Sequence, residues 1–158
     1  MFDNKRYAQA LVAFQRAGST REVNICHAFL LRENARAVPD DRVKKRAGAF
    51  GEAGEAFAVC ANESLPHEIK RRLSYFANAA DCFVLGRRFK EAGDCFVHAE
   101  QYSKAARAYR KGGCFDEMVE ALERHGRHIE ADLLAQLTKV AQMNYFKVCK
   151  PLYKGASR

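Results

Sequence analysis

The sequence predicts an all-α protein, an α-solenoid of about eight antiparallel helices stacked as hairpins, and three observations carry that prediction. A phrase returns: Asp81-Cys82-Phe83-Val84 recurs thirteen residues on as Asp94-Cys95-Phe96-Val97. Aromatic and small residues recur at offsets of 0, 3, 7 and 10, which on a helix fall within an arc of roughly 80°. No segment sustains the period-two alternation of a half-buried strand, and the 158 residues include only three prolines.

The thirteen-residue interval says where the helices break. Along one unbroken helix, at ~100° per residue, a step of thirteen turns a side chain by about 220°, so Phe83 and Phe96 would face nearly opposite sides. A shared environment for both requires a break between the copies, and Gly86, followed by Arg87-Arg88, is the natural place for it. The copies are Tyr7-Ala10-Phe14-Ala17, Phe50-Ala53-Phe57-Cys60, Phe76-Ala79-Phe83-Gly86, Phe89-Ala92-Phe96-Ala99 and Tyr102-Ala105-Tyr109-Gly112, with a degenerate Phe115-Met118-Leu122-His125. Each reads as one amphipathic helix whose rings contribute about 2–3 kcal/mol apiece when fully buried. The alanine between the rings lets a neighbour approach within the roughly 8–10 Å of packed helices. Helices of ~10 residues are too short to stand alone in water, so each must lean on its sequence neighbours, the logic of a helical repeat array.

Taken in order, helices are expected over about 4–17, 20–37, 43–62, 66–86, 88–99, 101–112, 114–125 and 128–148. Ser19-Thr20 opens the second, with Glu22 and Glu33 on its polar side. Val38-Pro39-Asp40-Asp41 is the clearest interruption, because Pro39 disfavours helix at Val38. Pro66 suits the first turn of the fourth helix, and Gly112-Gly113 and Gly126 end later ones. One helical-repeat domain is expected over 1–150: a long-helix half to about 86, thirteen-residue units over about 74–126 and a terminal helix over about 128–148. A C-terminal coil is expected over 151–158. Terminal repeats usually need polar caps, and the stripe begins as early as Tyr7, which points to further sequence upstream.

Composition bounds the function. With 48% hydrophobic and 29% charged residues the chain sits in the ordinary globular class. Its apolar runs are too short for a membrane span, and MFDNKRYAQA lacks the basic-then-apolar layout of a signal peptide. An intracellular location, nuclear or cytoplasmic, is therefore expected. Lys and Arg number 27 against 19 Asp and Glu, a net charge of +8. That excess favours acidic partners, nucleic acid among them, but decides nothing about fold.

Candidate chemistry is sparse. Cys26, Cys60, Cys82, Cys95, Cys114 and Cys149 include no C-x-x-C pair, and they read as buried free thiols that pack like small hydrophobes. Cys82 and Cys95 fall about 100° before the stripe aromatics, at the edge of the packed face. His125 and His128, with Glu130 near, lack a third strong ligand and read as a solvated helix terminus. No nucleophile-and-base constellation falls into place at helical spacing, so no catalytic residue, metal, cofactor or small-molecule substrate is expected. Lys70-Arg71-Arg72, Arg87-Arg88 and, within about 60° on one helix face, Lys104, Arg107 and Lys111 form basic clusters. They read first as solvated faces and second as contacts to nucleic acid or another acidic partner. The stripe aromatics read as core, not as stacking platforms for bases. Val43-Lys44-Lys45-Arg46 has the look of a nuclear-import signal but reads as a linker solvating its loop.

Ala92-x-x-x-Phe96-x-x-Ala99 resembles the second helix of a tetratricopeptide repeat, although the interval here is thirteen per helix, so the chain is tetratricopeptide-like. The stretches NKRYAQALVAFQRAG, HAFLLRENAR and AARAYRKGGCFDEMVE resemble the helical-repeat region of fungal UvrD-like superfamily-1 helicase proteins, which are similar to tetratricopeptide-and-ankyrin-repeat-containing proteins. The resemblance spans most of residues 1–150 and implies an accessory repeat region beside a helicase domain in a longer chain. It does not imply ATP hydrolysis here: the sequence holds no G-x-x-x-x-G-K-[ST], and GAFGEAG at Gly48–Gly54 lacks the lysine and hydroxyl that hold phosphate and Mg²⁺. The expected role is a non-enzymatic scaffold for an unidentified protein partner, with auxiliary nucleic-acid binding as the alternative.

Overall fold

A computed structural model describes residues 2–156 of the chain, with side chains placed for 4–145. Its described residues form eight α-helices and no strand: α1 (Phe2–Ala17), α2 (Thr20–Ala37), α3 (Val43–Asn62), α4 (Ile69–Leu85), α5 (Phe89–His98), α6 (Tyr102–Lys111), α7 (Phe115–His125) and α8 (Ala131–Ala156), with a 3-10 turn over Gly126–His128. The chain is all-α, and the principal packing is between consecutive helices, with α6 also reaching α8.

The thirteen-residue unit resolves into ten helical residues and a three-residue turn, as α5 and α6 show. Each turn closes in the same way. Arg88 N–H donates to Phe83 C=O at 2.8 Å, Gln101 to Phe96 at 2.9 Å and Cys114 to Tyr109 at 2.9 Å, while the preceding residue donates to the carbonyl three back. This is the Schellman arrangement, and the accepting carbonyl belongs each time to the second ring of the stripe. Its left-handed residue is Arg87 (φ 57°), Glu100 (φ 60°) and Gly113 (φ 71°) in turn, and Gly18 (φ 72°) makes the same turn after α1.

The helix does break at the expected place, but Gly86 is not the residue that permits it. Its φ is −79°, an ordinary value, and the left-handed conformation falls on Arg87. Gly86 is small because of what it touches: a Cβ there would lie 3.0 Å from the Ala47 carbonyl and the Gly51 nitrogen. The same holds inside the helices. A Cβ on Gly54 would come within 2.8 Å of the Phe83 ring, and one on Gly93 within 2.3 Å of Tyr109. Phe50, Gly51, Ala53 and Gly54 of GAFGEAG thus belong to the packing face of α3.

Three further expectations need correction. Pro66 lies in the turn before α4 and not in its first turn. Glu68, the residue just before the helix, accepts the Leu65 N–H at 3.0 Å and ion-pairs with Arg21 and Arg71, so helix begins only at Ile69. Val43–Arg46 is the first turn of α3 and not a linker; Arg46 reaches back to pair with Asp40. The segment expected as coil from Pro151 continues α8 as far as Ala156, since one proline removes one backbone hydrogen bond and kinks a helix without obliging the chain to leave it. Ser19 precedes α2 as expected, yet its side chain makes no capping bond, nor does the residue in that position for α3 to α7. These helices are held by their buried faces.

Candidate docking surface

The stripe residues form the core of the middle of the chain. Phe50, Ala53, Phe57, Phe76, Ala79, Phe83, Ala92, Phe96, Ala105 and Tyr109 are buried, joined by Met118 and by Leu133 and Leu137 of α8. The first ring of each later unit is less covered: Phe89, Tyr102 and Phe115 are half-buried, and Tyr102 and Phe115, with the half-buried Leu122, pack against that core. In α1, Tyr7, Ala10 and Phe14 are half-buried; Tyr7 stacks on Phe29, and Phe29 meets Phe57 edge-on with centroids 5.0 Å apart.

Cys26, Cys60, Cys82 and Cys95 are buried free thiols and Cys114 is half-buried, while the Cys149 side chain lies outside the described residues. Burial pushes Cys60, Cys82 and Cys95 up to about 11, so each is a neutral thiol at pH 7 and a poor nucleophile or ligand. Tyr109 is raised too, chiefly by burial and then by donating its hydroxyl to Asp94 at 2.6 Å. Asp94, part of the repeated phrase, therefore holds a core ring from outside. His125 is not simply solvated: its ring stacks on Tyr102 with centroids 3.9 Å apart, and His128 lies 5.6 Å from the same ring.

Five of the eight clustered basic residues are engaged. Lys104 lies 5.8 Å from the Phe96 ring centre, Lys111 5.7 Å from Phe89 and Arg88 4.8 Å from Phe83. Arg88 also pairs with Glu55 at 2.6 Å and Glu91 at 3.0 Å, and Arg107 with Glu130 at 3.6 Å. Charged heads thus cover the rims of the rings, with their aliphatic stems over apolar surface. Arg71 pairs with Glu68, whereas Lys70, Arg72 and Arg87 are exposed and form no ion pair among the described residues. The expected basic face is in large part a lid on the hydrophobic stripe.

Grooves lie on both sides of α7. One, of about 310 Å³, is walled by α5, α6 and α7 with Asp94, Tyr109, Glu117 and Arg124 in its lining. Glu117 there holds Lys90 at 3.1 Å and Glu120 holds Arg124 at 3.0 Å. The other, of about 440 Å³, runs between α7 and α8 and is lined by Phe115, Val119 and Tyr145 together with Asp116, Glu120 and Glu123. Sequence reasoning passed over these grooves because it followed rings and cations; the signal was the acid density of FDEMVEALERH, four carboxylates in one short helix.

Compared with known proteins, the chain matches no family model, no curated protein and no solved structure. The helicase-associated resemblance therefore rests on the quoted stretches alone. No helix among the described residues is long and apolar enough to cross a membrane.

Proposed function

We propose that the chain is a non-enzymatic, tetratricopeptide-like α-solenoid that docks a protein partner in the grooves beside α7, as the accessory repeat region of a larger helicase-like protein. The stacked-hairpin geometry is supported by the order of contacts between neighbours. Phe89 meets Gly112 while Gly93 meets Tyr109, so position rises in α5 as it falls in α6, and Gly51 and Gly54 meet Gly86 and Phe83 in the same sense. The observation that carries the docking role is that consecutive helices consume the aromatic stripes and leave grooves on both flanks of one helix. Extended surfaces of this kind take peptides or helices.

The test is a peptide-display selection against the full chain, with selected peptides mapped by hydrogen exchange. Protection over Phe115–Tyr145 is the expected outcome; selected peptides that protect other segments, or none, refute the assignment. In parallel, labelled single- and double-stranded nucleic acid is titrated at two salt concentrations. Tight binding with a steep salt slope, relieved by charge reversal at Lys104, Arg107 and Lys111, would replace docking with the nucleic-acid reading.

A further inference from the structure

The groove between α7 and α8 differs in charge from the rest of the molecule. The chain carries +8, yet among the described residues the groove is lined by three carboxylates, Asp116, Glu120 and Glu123, and by no cation. Arg124 is tied to Glu120 at 3.0 Å and takes no part in the lining. Between the carboxylates lie Phe115 and Val119 on α7, half-buried and facing Ala141 and Tyr145 of α8. An apolar floor with an acidic rim fits a segment that brings an apolar anchor flanked by Lys or Arg.

Taking the docking role as given, we infer that the partner presents a short Lys/Arg-rich segment with a large apolar anchor, and that the α7–α8 groove seats it. Complementarity of this kind sets specificity more than raw affinity. It is also selective in an unusual way. The field of a +8 chain repels a basic peptide at a distance, so attraction exists only within about a Debye length, roughly 8–10 Å, of the carboxylates. Non-specific charge attraction therefore cannot imitate it.

The experiment titrates the full chain with three labelled peptides of equal length sharing one Leu anchor, flanked by Lys/Arg, by Asp/Glu or by Ser/Gln. The Lys/Arg peptide is expected to bind best, on the order of micromolar to tens of micromolar, as a modest interface gives. Asp116→Lys with Glu123→Lys should weaken it by about tenfold or more, and the milder Asp116→Asn with Glu123→Gln by less. Both pairs are exposed positions, and unchanged helical circular dichroism checks that the fold survives. Preference for the acidic or neutral peptide overturns this inference and leaves docking standing; no binding by any peptide removes both. If sedimentation shows self-association that Asp116→Lys with Glu123→Lys abolishes, the occupant is a second copy and the basic-segment inference falls.

Discussion

The long-helix half and the thirteen-residue half solve one problem in different ways. After α4, α5 and α6 the corner is closed by backbone hydrogen bonds, with one left-handed residue and the carbonyl of a buried ring. Between α2 and α3, and between α3 and α4, the connectors are longer and side chains tie them: Arg46 to Asp40, Arg21 to Glu68, and Asn24 to Glu63 at 3.0 Å. A repeated turn needs no particular side chain at its corner, so sequence drifts there; an irregular corner depends on named charges. Regularity is carried by the backbone, and the exceptions by ion pairs.

The largest effect should come from the shared feature, the buried ring. Phe57→Ala, at a fully buried site in α3, is expected to cost about 3–5 kcal/mol in urea unfolding. Phe89→Ala, at a half-buried ring, should cost distinctly less. Equal losses would mean that Phe89 is as well buried as Phe57, contrary to their exposures.

Next come the glycines. Gly93→Ala should cost roughly 1–3 kcal/mol, because the new methyl would overlap the Tyr109 ring. Gly48→Ala, in the same kind of helix with nothing within 4 Å of a new methyl, should instead stabilise by up to about 1 kcal/mol. Thermal melts of the pair separate close packing from helix propensity.

Titration offers two subtler probes. Cys60, Cys82 and Cys95 are raised by burial from 9.0 to about 11. The folded state then holds these protons more firmly than the unfolded chain, so their contribution is intact below pH 9 and lost as pH climbs towards 11. The melting temperature should fall across that window, and Cys82→Ala with Cys95→Ala should flatten the fall. At the irregular corner the sign reverses. The Leu65 N–H, followed by Arg21, lowers the Glu68 carboxyl from 4.5, so stability it contributes is present above that value and lost as the solution is acidified below it. Glu68→Gln should make acid melts less steep while leaving alkaline ones unchanged.

The smallest expected change is a gain. Arg87→Gly and Glu100→Gly relieve side chains held at positive φ and should each stabilise by about 0.5–1 kcal/mol, the strain relieved being offset in part by a more flexible unfolded chain. A loss instead would show that the Arg87 or Glu100 side chain matters to its turn.

Much of this was legible in the residues. The interval of thirteen located α5, α6 and α7, and the ring-and-alanine stripe named every buried ring but Tyr75 among the described residues and about half of the buried core, because one helical period governs both. Less legible were features set by neighbours distant in sequence. Gly86 looks like a helix stop in one dimension, yet its smallness answers to Ala47 and Gly51. Lys104 and Lys111 look like a binding face, yet they lie over Phe96 and Phe89. The α7–α8 groove depends on where α8 lies, which no local pattern states.

The turn that recurs at Arg87, Glu100 and Gly113 has an evolutionary corollary. Because one rod and its corner form a complete module, duplicating thirteen codons lengthens the assembly by a single rod instead of a pair. Parity then becomes a variable under the proposed antiparallel stacking: an odd number of additions delivers whatever follows to the opposite face of the stack. A lineage built this way can relocate an attached domain by copying one short stretch of gene.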